Sequence, residues 1–170
     1  MSNMLDPMLN EFREEAAITK RVLERVPPDK LSWKPHAKSM SLGQLAIHIA
    51  TGPGGLAKNI QQDAFEVSQV SNIFEVRSPN DVEEIHAAFE QSVRETEKCL
   101  QEMTEQKALG KWRVVAGGRE LFARPRINAL RSIMLNHWYH HRGQLSVYLR
   151  QLDVAVPSIY GPSADENPFA

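Results

Sequence analysis

Apolar residues recur every three or four positions along four long stretches of the chain, the spacing that gathers them on one face of an α-helix. Pro27 and Pro28 end the first stretch, because a proline cannot donate the next helical hydrogen bond. The four stretches cover approximately residues 7–26, 41–65, 82–105 and 125–152. With no internal repeat in the pattern, we predict one domain, residues 1–170, of the all-α class, built as a four-helix bundle.

The second of these predicted helices contains both a start signal and an interruption. Ser41 is a suitable N-cap, and Gln44 follows at the spacing of a capping box. Pro53, inside the sequence TGPGG, removes one helical hydrogen bond and either bends or breaks the helix. The apolar periodicity continues beyond it, so we predict a bend within one helix.

The pattern changes between the third and fourth predicted helices. Short runs, WRVV and ELF, flank Gly117 and Gly118, and Gly-Gly pairs tolerate the positive φ angles of tight hairpin turns. We therefore predict a short β-hairpin there. After the fourth helix, residues 154–170 hold three prolines and one glycine, which predicts an irregular tail.

Three of the chain's six histidines lie in LNHWYHHRGQL, residues 135–145 of the fourth predicted helix. Residues three and four apart share a helix face, so His137 and His141 fall on one line and His140 on a more polar line beside it. The line that contains the pair is otherwise mainly apolar: Leu130, Met134, His137, His141, Leu145, Tyr148 and Leu152. We therefore predict that His137 and His141 point into the core and that His140 lies on the flank.

Two inward histidines require partners, because burying an unpartnered imidazole costs about 1–3 kcal/mol. Hydrogen bonds to a neighbouring helix would satisfy them, and so would a metal ion, which two histidines four residues apart can bind together. The glutamate that lies inside the zinc-protease version of this spacing is missing here. Protease chemistry of that kind is therefore not supported.

A third nitrogen ligand is available on the second predicted helix. His48 is the one strongly polar side chain between Leu45 and Thr51. Together with His137 and His141 it would form a three-nitrogen face with open positions for water or substrate, as in catalytic rather than structural metal sites. The residues alone leave two explanations open: a metal centre, or three histidines that hydrogen-bond to their neighbours.

Other polar residues have both a functional and a structural explanation, and the structural one is favoured for each. Gln44 would orient a bound group one turn before His48, but it already suits the capping box. The tail residues Tyr160, Asp165 and Glu166 would either fold near the site or remain in solvent, and we predict a solvated tail.

Composition and charge restrict the partners of the protein. The chain has 20 Lys and Arg against 21 Asp and Glu, a formal net charge of −1, so a protein dominated by phosphate contacts is not indicated. We predict no nucleic-acid partner. Four arginines lie around the start of the fourth predicted helix: Arg119, Arg124, Arg126 and Arg131. We predict that their side chains are solvated, and binding of an anionic ligand is the weaker alternative.

The single cysteine and the N-terminal sequence favour a reducing compartment. Cys99 cannot form an internal disulfide and lies in a helical pattern, where a buried, inert thiol is expected. The N-terminal sequence lacks the apolar core of a signal peptide, and no stretch approaches the roughly 20 apolar residues of a membrane helix. We predict a cytoplasmic protein without a membrane partner.

Three stretches of this sequence are similar to the DinB family, also described as DinB/YfiT-like metalloenzymes. They are LSWKP at residues 31–35, LGQLAIHIA with its histidine, and MLNHWYHHRGQLSVYLRQLDVAVPSIYGPSADE across the fourth helix and the tail. The resemblance covers nearly the whole chain. It implies an up-up-down-down four-helix bundle, commonly dimeric, and a divalent metal ion, nickel or zinc, held by His48, His137 and His141.

The same resemblance implies a reaction class. Several relatives transfer a low-molecular-weight thiol, such as bacillithiol or mycothiol, to an electrophile, or isomerise a substrate with its help, whereas many others have no assigned activity. We predict a metal-dependent enzyme that transfers such a thiol, or activated water, to a small electrophile. The alternatives are a non-catalytic metal-binding or stress-associated dimeric bundle, in which Trp138 and Tyr139 contribute to the dimer surface, and a purely structural bundle.

Overall fold

The computed structural model describes residues 4–69 and 77–170 of the chain. Within these ranges the protein is mostly helical, and each long helix indicated by the apolar periodicity is present. In chain order the helices are α1 (Asp6–Leu23), α2 (Leu42–Ile60), α3 (Val82–Glu102), α4 (Glu105–Leu109), α5 (Arg126–Ala129) and α6 (Asn136–Gln151). α1 packs against α3, α3 against α2, α2 against α6, and α6 against α1, so their apolar faces share one core.

The helix starts follow the capping signals of the sequence. Ser41 Oγ accepts a hydrogen bond from the Gln44 backbone N–H at 3.2 Å, and Gln44 Oε1 accepts one from the Ser41 N–H at 2.9 Å. This reciprocal pair is the predicted capping box, so the structural explanation of Gln44 is confirmed. Asp81 caps α3, where its side chain accepts a hydrogen bond from the Glu84 N–H at 2.8 Å.

Pro53 lies inside α2 without breaking it, since helical geometry is continuous from Leu42 to Ile60. Proline has no N–H, so the carbonyl of Ile49, four residues earlier, loses its helical donor. The indole Nε1–H of Trp138 in α6 donates to that carbonyl at 3.0 Å instead. The prediction that the helix continues through Pro53 is therefore confirmed, whereas the bend stays a prediction and the helix ends at Ile60, earlier than predicted. A neighbouring helix closes the gap in the α2 hydrogen-bond ladder.

A small sheet corrects the all-α prediction. Its three strands are β1 (Ala64–Glu66), β2 (Lys111–Ala116) and β3 (Arg119–Pro125), in the order β1-β2-β3. β2 and β3 form the predicted antiparallel hairpin, whose turn uses Gly117 at φ +56° and Gly118 at φ +79°. β1 pairs in parallel with β2. The sequence pattern assigns β1 to the second helix, because three residues are too few to show a strand periodicity.

The prediction of a four-helix bundle is met only in part. The described residues are mostly helical, but they also form a three-stranded sheet. The up-up-down-down order of the helices stays a prediction. The assignment of the chain to one domain also stays a prediction. None of the helices in residues 4–69 and 77–170 is long and apolar enough to span a bilayer.

A π-helical segment, Leu130–Leu135, interrupts the fourth predicted helix between α5 and α6. A π turn contains more residues than an α turn, so the side chains after it face a different direction. The buried side chains of α6 fall one position later than predicted at three places: Trp138 instead of His137, Arg142 instead of His141, and Leu149 instead of Tyr148. His137 and His141 are consequently half-buried at the edge of the core, which corrects the prediction that they point into it.

Trp138 is a core residue, so the prediction that it contributes to a dimer surface is wrong. Only 2% of its surface is exposed. The centroid of its ring lies 5.3 Å from that of Phe12 in α1 and 6.4 Å from that of Phe89 in α3. The neighbouring Tyr139 is half-buried, and its hydroxyl donates to a carboxylate oxygen of Glu11 at 3.0 Å. The dimer itself stays a prediction.

Arg126 is buried, with 4% of its surface exposed, which corrects its prediction as part of a solvated helix entry. Its guanidinium donates to the carbonyls of Ile60 and Gln62, both at 3.0 Å, and to the carbonyl of Lys111 at 2.8 Å. It also pairs with Asp63 at 2.6 Å. The last carbonyls of a helix lack helical donors, so Arg126 caps the C-terminal end of α2 and joins it to β2.

The tail after α6 contacts the helices, which corrects in part the prediction of a solvated tail, although Tyr160 and Asp165 stay exposed. Glu166 pairs with Arg21 and Arg25 at the end of α1, the latter at 2.8 Å. Asp165 pairs with Arg150 in α6. A proline-rich, polar composition does not reveal these ion pairs, because most of their basic partners lie in a distant part of the sequence.

Candidate metal centre

The three histidines selected from the sequence come together between α2 and α6. One ring nitrogen from each of His48, His137 and His141 lies within 4.8 Å of the other two. The Nε2 atoms of His48 and His137 are 3.0 Å apart, and the ring centroids of His137 and His141 are separated by 4.4 Å. The spacing of four residues places the last two rings one turn apart on α6, facing the ring from α2.

The spacing of the nitrogens fits a transition metal ion. Zinc–imidazole bonds are about 2.0–2.1 Å long, so two nitrogens on one tetrahedral ion lie about 3.3 Å apart. The three nitrogens here lie within 4.8 Å of one another, and the Nε2 atoms of His48 and His137, at 3.0 Å, are already close to that spacing. This ligand group consists of histidines alone, a donor set that suits zinc and nickel. The prediction that His48, His137 and His141 hold the ion is therefore compatible with the geometry.

Burial keeps the three imidazoles neutral at physiological pH. Burial, with a smaller contribution from His141, lowers the pKa of His48 to about 4. Burial and then the neighbouring histidines lower the pKa of His137 to about 4 as well. Burial also lowers the pKa of His141, although its hydrogen bond to Gln144 opposes the change. A neutral imidazole keeps one unprotonated ring nitrogen, which is the protonation state that metal binding requires.

Gln144 orients the ring of His141. Its Oε1 lies 2.7 Å from His141 Nδ1, and an amide oxygen only accepts, so Nδ1–H is the donor. The proton on Nδ1 leaves the lone pair on Nε2, the nitrogen available to a metal ion. Sequence reasoning selected Gln44 as the candidate orienting amide and missed Gln144. The spacing of three residues between His141 and Gln144 on one helix permits this contact, but it is too weak a signal to select Gln144 from the sequence.

Apolar side chains and backbone enclose one side of the histidine group. The small cavity that the three rings share is lined by Ile49, Gly52, Pro53, Leu56, Met134 and Trp138. On the other side, His137 and His141 are partly open to solvent. His140 is exposed, and its ring centroid is 5.0 Å from that of His141, outside the ligand group. Its prediction as a flanking residue is confirmed.

A buried ion pair lies directly beside His141, and sequence reasoning missed it. Arg142 is 1% exposed and pairs with Glu15 of α1 at 2.6 Å. It also donates to Thr19 Oγ1 at 3.0 Å and to the hydroxyl of Tyr160 in the tail. The Tyr160 hydroxyl in turn donates to Glu15 at 3.0 Å. Hydrophobic periodicity does not reveal this network, because a charged residue is normally assigned to the surface.

Comparison with known proteins decides the family. The family model described as "DinB family" matches residues 1–168. The chain belongs to the DinB family. The sequence resemblance that predicted this membership is therefore confirmed, and it extends over almost the whole length of the chain.

Solved structures of DinB-like proteins have the same fold as this DinB-family chain. A DinB-like protein from Bacillus cereus ATCC 10987 has a TM-score of 0.66 and 24% identity, over 89% of this chain and 95% of its own. A DinB-like protein from Bacillus subtilis, YjoA, has a TM-score of 0.68 and 21% identity, over 91% of this chain and 98% of its own. At these identities the similarity establishes the fold of the DinB-family chain but not its activity, which must be argued from the residues of the site.

A curated relative is similar over the full length of this DinB-family protein. The Bacillus subtilis (strain 168) protein described as "Uncharacterized protein YrdA" is 24% identical over 166 residues, which cover 98% of this chain and 93% of the relative. Its description names no activity, so the functional argument depends on the three-histidine geometry.

Proposed function

We propose that this protein is a metal-dependent enzyme that transfers a low-molecular-weight thiol, or activated water, to a small electrophile. His48, His137 and His141 would hold a divalent transition metal ion, nickel or zinc. The observation that carries the proposal is the convergence of three ring nitrogens within 4.8 Å of one another at a partly open position between α2 and α6.

The ligand set favours activation of a nucleophile. When bound, a divalent ion lowers the pKa of a thiol or water ligand and so supplies a nucleophile near neutral pH. The three imidazoles carry no negative charge, so they would leave the full charge of the ion to act on that ligand. Three protein ligands also leave open positions, which is typical of catalytic rather than structural sites.

The residues around the ligands support the same chemistry. Gln144 Oε1 accepts a hydrogen bond from His141 Nδ1–H and so leaves the lone pair of His141 on Nε2. The apolar lining beside the rings excludes water from one side and lowers the local dielectric constant, which strengthens electrostatic interactions. A small electrophile would approach from the other side, where His137 and His141 are partly open.

The thiol would come from outside the chain. Cys99 is the only cysteine, and its side chain is buried in α3, where Gln61 donates to its sulfur at 3.0 Å. Burial raises the pKa of the Cys99 thiol, which disfavours the reactive thiolate. Gln61 follows α2, 13 residues after His48. At 1.5 Å per residue this separation is about 20 Å, so Cys99 is too distant to be the nucleophile.

Metal analysis tests the first part of the proposal. After repletion with nickel or zinc and removal of excess ion, we expect about one ion per wild-type chain and a strong loss in His48→Ala and His137→Ala. His140→Ala is the matched control, since it removes an exposed histidine of the same helix outside the ligand group. Wild-type protein without stoichiometric metal would contradict the proposal and favour the purely structural bundle.

An activity assay tests the second part. The metal-loaded protein is mixed with several cellular thiols, each with a generic small electrophile, and thioether formation is measured. We expect metal-dependent transfer that His141→Ala abolishes and His140→Ala preserves. Transfer that survives removal of His141 would reject a metal-centred mechanism, and a metal-loaded protein inactive in both transfer and hydrolysis would favour the non-catalytic metal-binding alternative.

A further inference from the structure

Pro53 leaves the carbonyl of Ile49 without its usual helical donor, and Ile49 directly follows His48, one of the three proposed metal ligands. The carbonyl of Ile49 would normally accept from the backbone N–H at position 53, but proline has no N–H. Ile49 is only 1% exposed, so water cannot readily replace the missing donor. The Ile49 carbonyl follows His48 directly in the chain.

Trp138 supplies the donor from α6. Its indole Nε1–H donates to the Ile49 carbonyl at 3.0 Å. The indole stacks with the rings of Phe12 and Phe89, and this core packing restrains the direction of its N–H. Trp138 itself follows His137 in the chain.

The geometry points to Trp138 as a positioning residue for the metal centre, because its hydrogen bond to Ile49 sets the separation of His48 and His137. The inference rests on the proposed metal site. The bond joins Ile49, which follows His48, to Trp138, which follows His137, across the interface between α2 and α6. Apolar packing alone is non-directional and permits small shifts of one helix along another, whereas a hydrogen bond has a defined length and direction.

A second contact, beside Pro53, joins α2 to α3. The N–H of Gly54, the residue after Pro53, donates to Ser92 Oγ in α3 at 2.8 Å. A side chain at position 54 would approach Ser92 at about 2.9–3.0 Å, so glycine permits this close approach of α2 and α3. With α2 fixed against α3, the Trp138 bond fixes α6 relative to both.

Trp138→Phe tests the inference. The variant retains an aromatic ring between Phe12 and Phe89 but has no N–H for the Ile49 carbonyl. Loss of a group that orients metal ligands typically weakens metal affinity about 10- to 100-fold. We expect weakening in that range for Co2+, measured by titration, together with a changed visible ligand-field spectrum of the bound ion.

Adding Pro53→Ala distinguishes two effects of the Trp138 hydrogen bond: the positioning of α6 relative to α2, and the supply of a donor to the Ile49 carbonyl. In the double variant Pro53→Ala/Trp138→Phe, the N–H of residue 53 can pair with the Ile49 carbonyl inside α2, while the bond to α6 stays absent. We expect thermal stability to recover toward wild type, with Co2+ affinity and the spectrum still altered. Recovery of affinity along with stability would overturn the inference. If Trp138→Phe alone does not fold, the double variant is compared directly with Pro53→Ala, which keeps Trp138. Weaker Co2+ binding by the double variant than by Pro53→Ala then supports the inference, and equal binding overturns it.

Trp112→Phe is the matched control. Trp112 is also 2% exposed, and its Nε1 has no hydrogen-bond partner in residues 4–69 and 77–170. We expect this variant to keep the wild-type Co2+ affinity and spectrum. A Trp138→Phe protein indistinguishable from wild type would overturn the positioning role alone, whereas wild-type protein that binds no Co2+ would contradict the metal site on which the inference rests.

Discussion

His48, His137 and His141 differ in how far solvent reaches them. His48 is 5% exposed, whereas the two histidines of α6 are half-buried, so the ligand group has one enclosed side and one open side. The open side is where an external thiol and a small electrophile would approach. This asymmetry distinguishes the group from three histidines sealed in a core.

Removing the partner of His141 should weaken the metal centre. In Gln144→Leu, Nδ1 loses its acceptor, so neither the tautomer nor the ring orientation of His141 is fixed. We expect zinc affinity to fall about 10-fold, near the lower end of the usual range for such partners because Gln144 is exposed. Gln151→Leu, an exposed glutamine at the end of the same helix, is the control. Equal zinc affinity of Gln144→Leu and wild type in a competition titration would contradict the orienting role.

The histidines could be selected from the sequence, but their orienting partner could not. Imidazoles three and four residues apart in an apolar pattern are a strong signal, and the family resemblance identified the same positions. Gln144 lacked such a signal, because an exposed glutamine one turn beyond a histidine contacts it in only one of many rotamers. Gln44 was easier to select and turned out to be the capping residue.

Among the elements, α2 depends on side chains supplied from elsewhere in the chain. Trp138 satisfies the carbonyl freed by Pro53, and Arg126 satisfies the carbonyls at the C-terminal end. The sequence predicted the start of α2 and its continuity through Pro53, because both follow from local rules. The donors could not be predicted, because they come from residues more than 60 positions away.

Replacing the buried guanidinium at the end of α2 should destabilise the fold. In Arg126→Lys, one ammonium cannot reproduce the fork that reaches Ile60, Gln62, Lys111 and Asp63. We expect a loss of about 2 kcal/mol or more in the free energy of unfolding, since buried acceptors lose their donors. Arg119→Lys at the exposed hairpin is the control and should change stability by less than about 0.5 kcal/mol. Similar urea midpoints for the two variants would contradict the capping role of Arg126.

The π-helical segment explains why the helix periodicity was only partly right. An α-helical spacing carried from Leu130 to Leu152 places His137, His141 and Tyr148 in the core. The π turn moves the buried positions to Trp138, Arg142 and Leu149. Sequence periodicity assumes a constant number of residues per turn, so it cannot detect such a local change.

At the scale of the whole molecule, Arg142 joins three parts of the chain. It lies in α6, pairs with Glu15 of α1 and donates to Tyr160 of the tail. Because Arg142 follows His141, this network holds the turn of α6 that carries His141 against α1. The prediction of a solvated tail was only partly right, because Tyr160 and Asp165 are exposed but the tail residues also bond to distant partners that the tail sequence does not reveal.

Truncating Arg142 should cost far more stability than truncating a surface arginine. Arg142→Ala leaves the carboxylate of Glu15 buried without its cation, and breaking a buried ion pair in this way typically costs about 3–5 kcal/mol. Arg150→Ala, which breaks the exposed pair with Asp165, should cost much less, because solvent screens an exposed ion pair. Chemical denaturation of both variants measures the difference. An equal loss of unfolding free energy in the two variants would contradict the stabilising role of the buried Arg142–Glu15 pair.

Anomalous X-ray diffraction from crystals of the nickel- or zinc-repleted protein, recorded on both sides of the absorption edge of the metal, tests the central claim most directly. We expect one strong anomalous peak between α2 and α6, about 2.0–2.2 Å from one nitrogen each of His48, His137 and His141. A fully repleted crystal without a peak between these three rings, or with the metal bound by other residues, would contradict the assignment of this site as a metal centre.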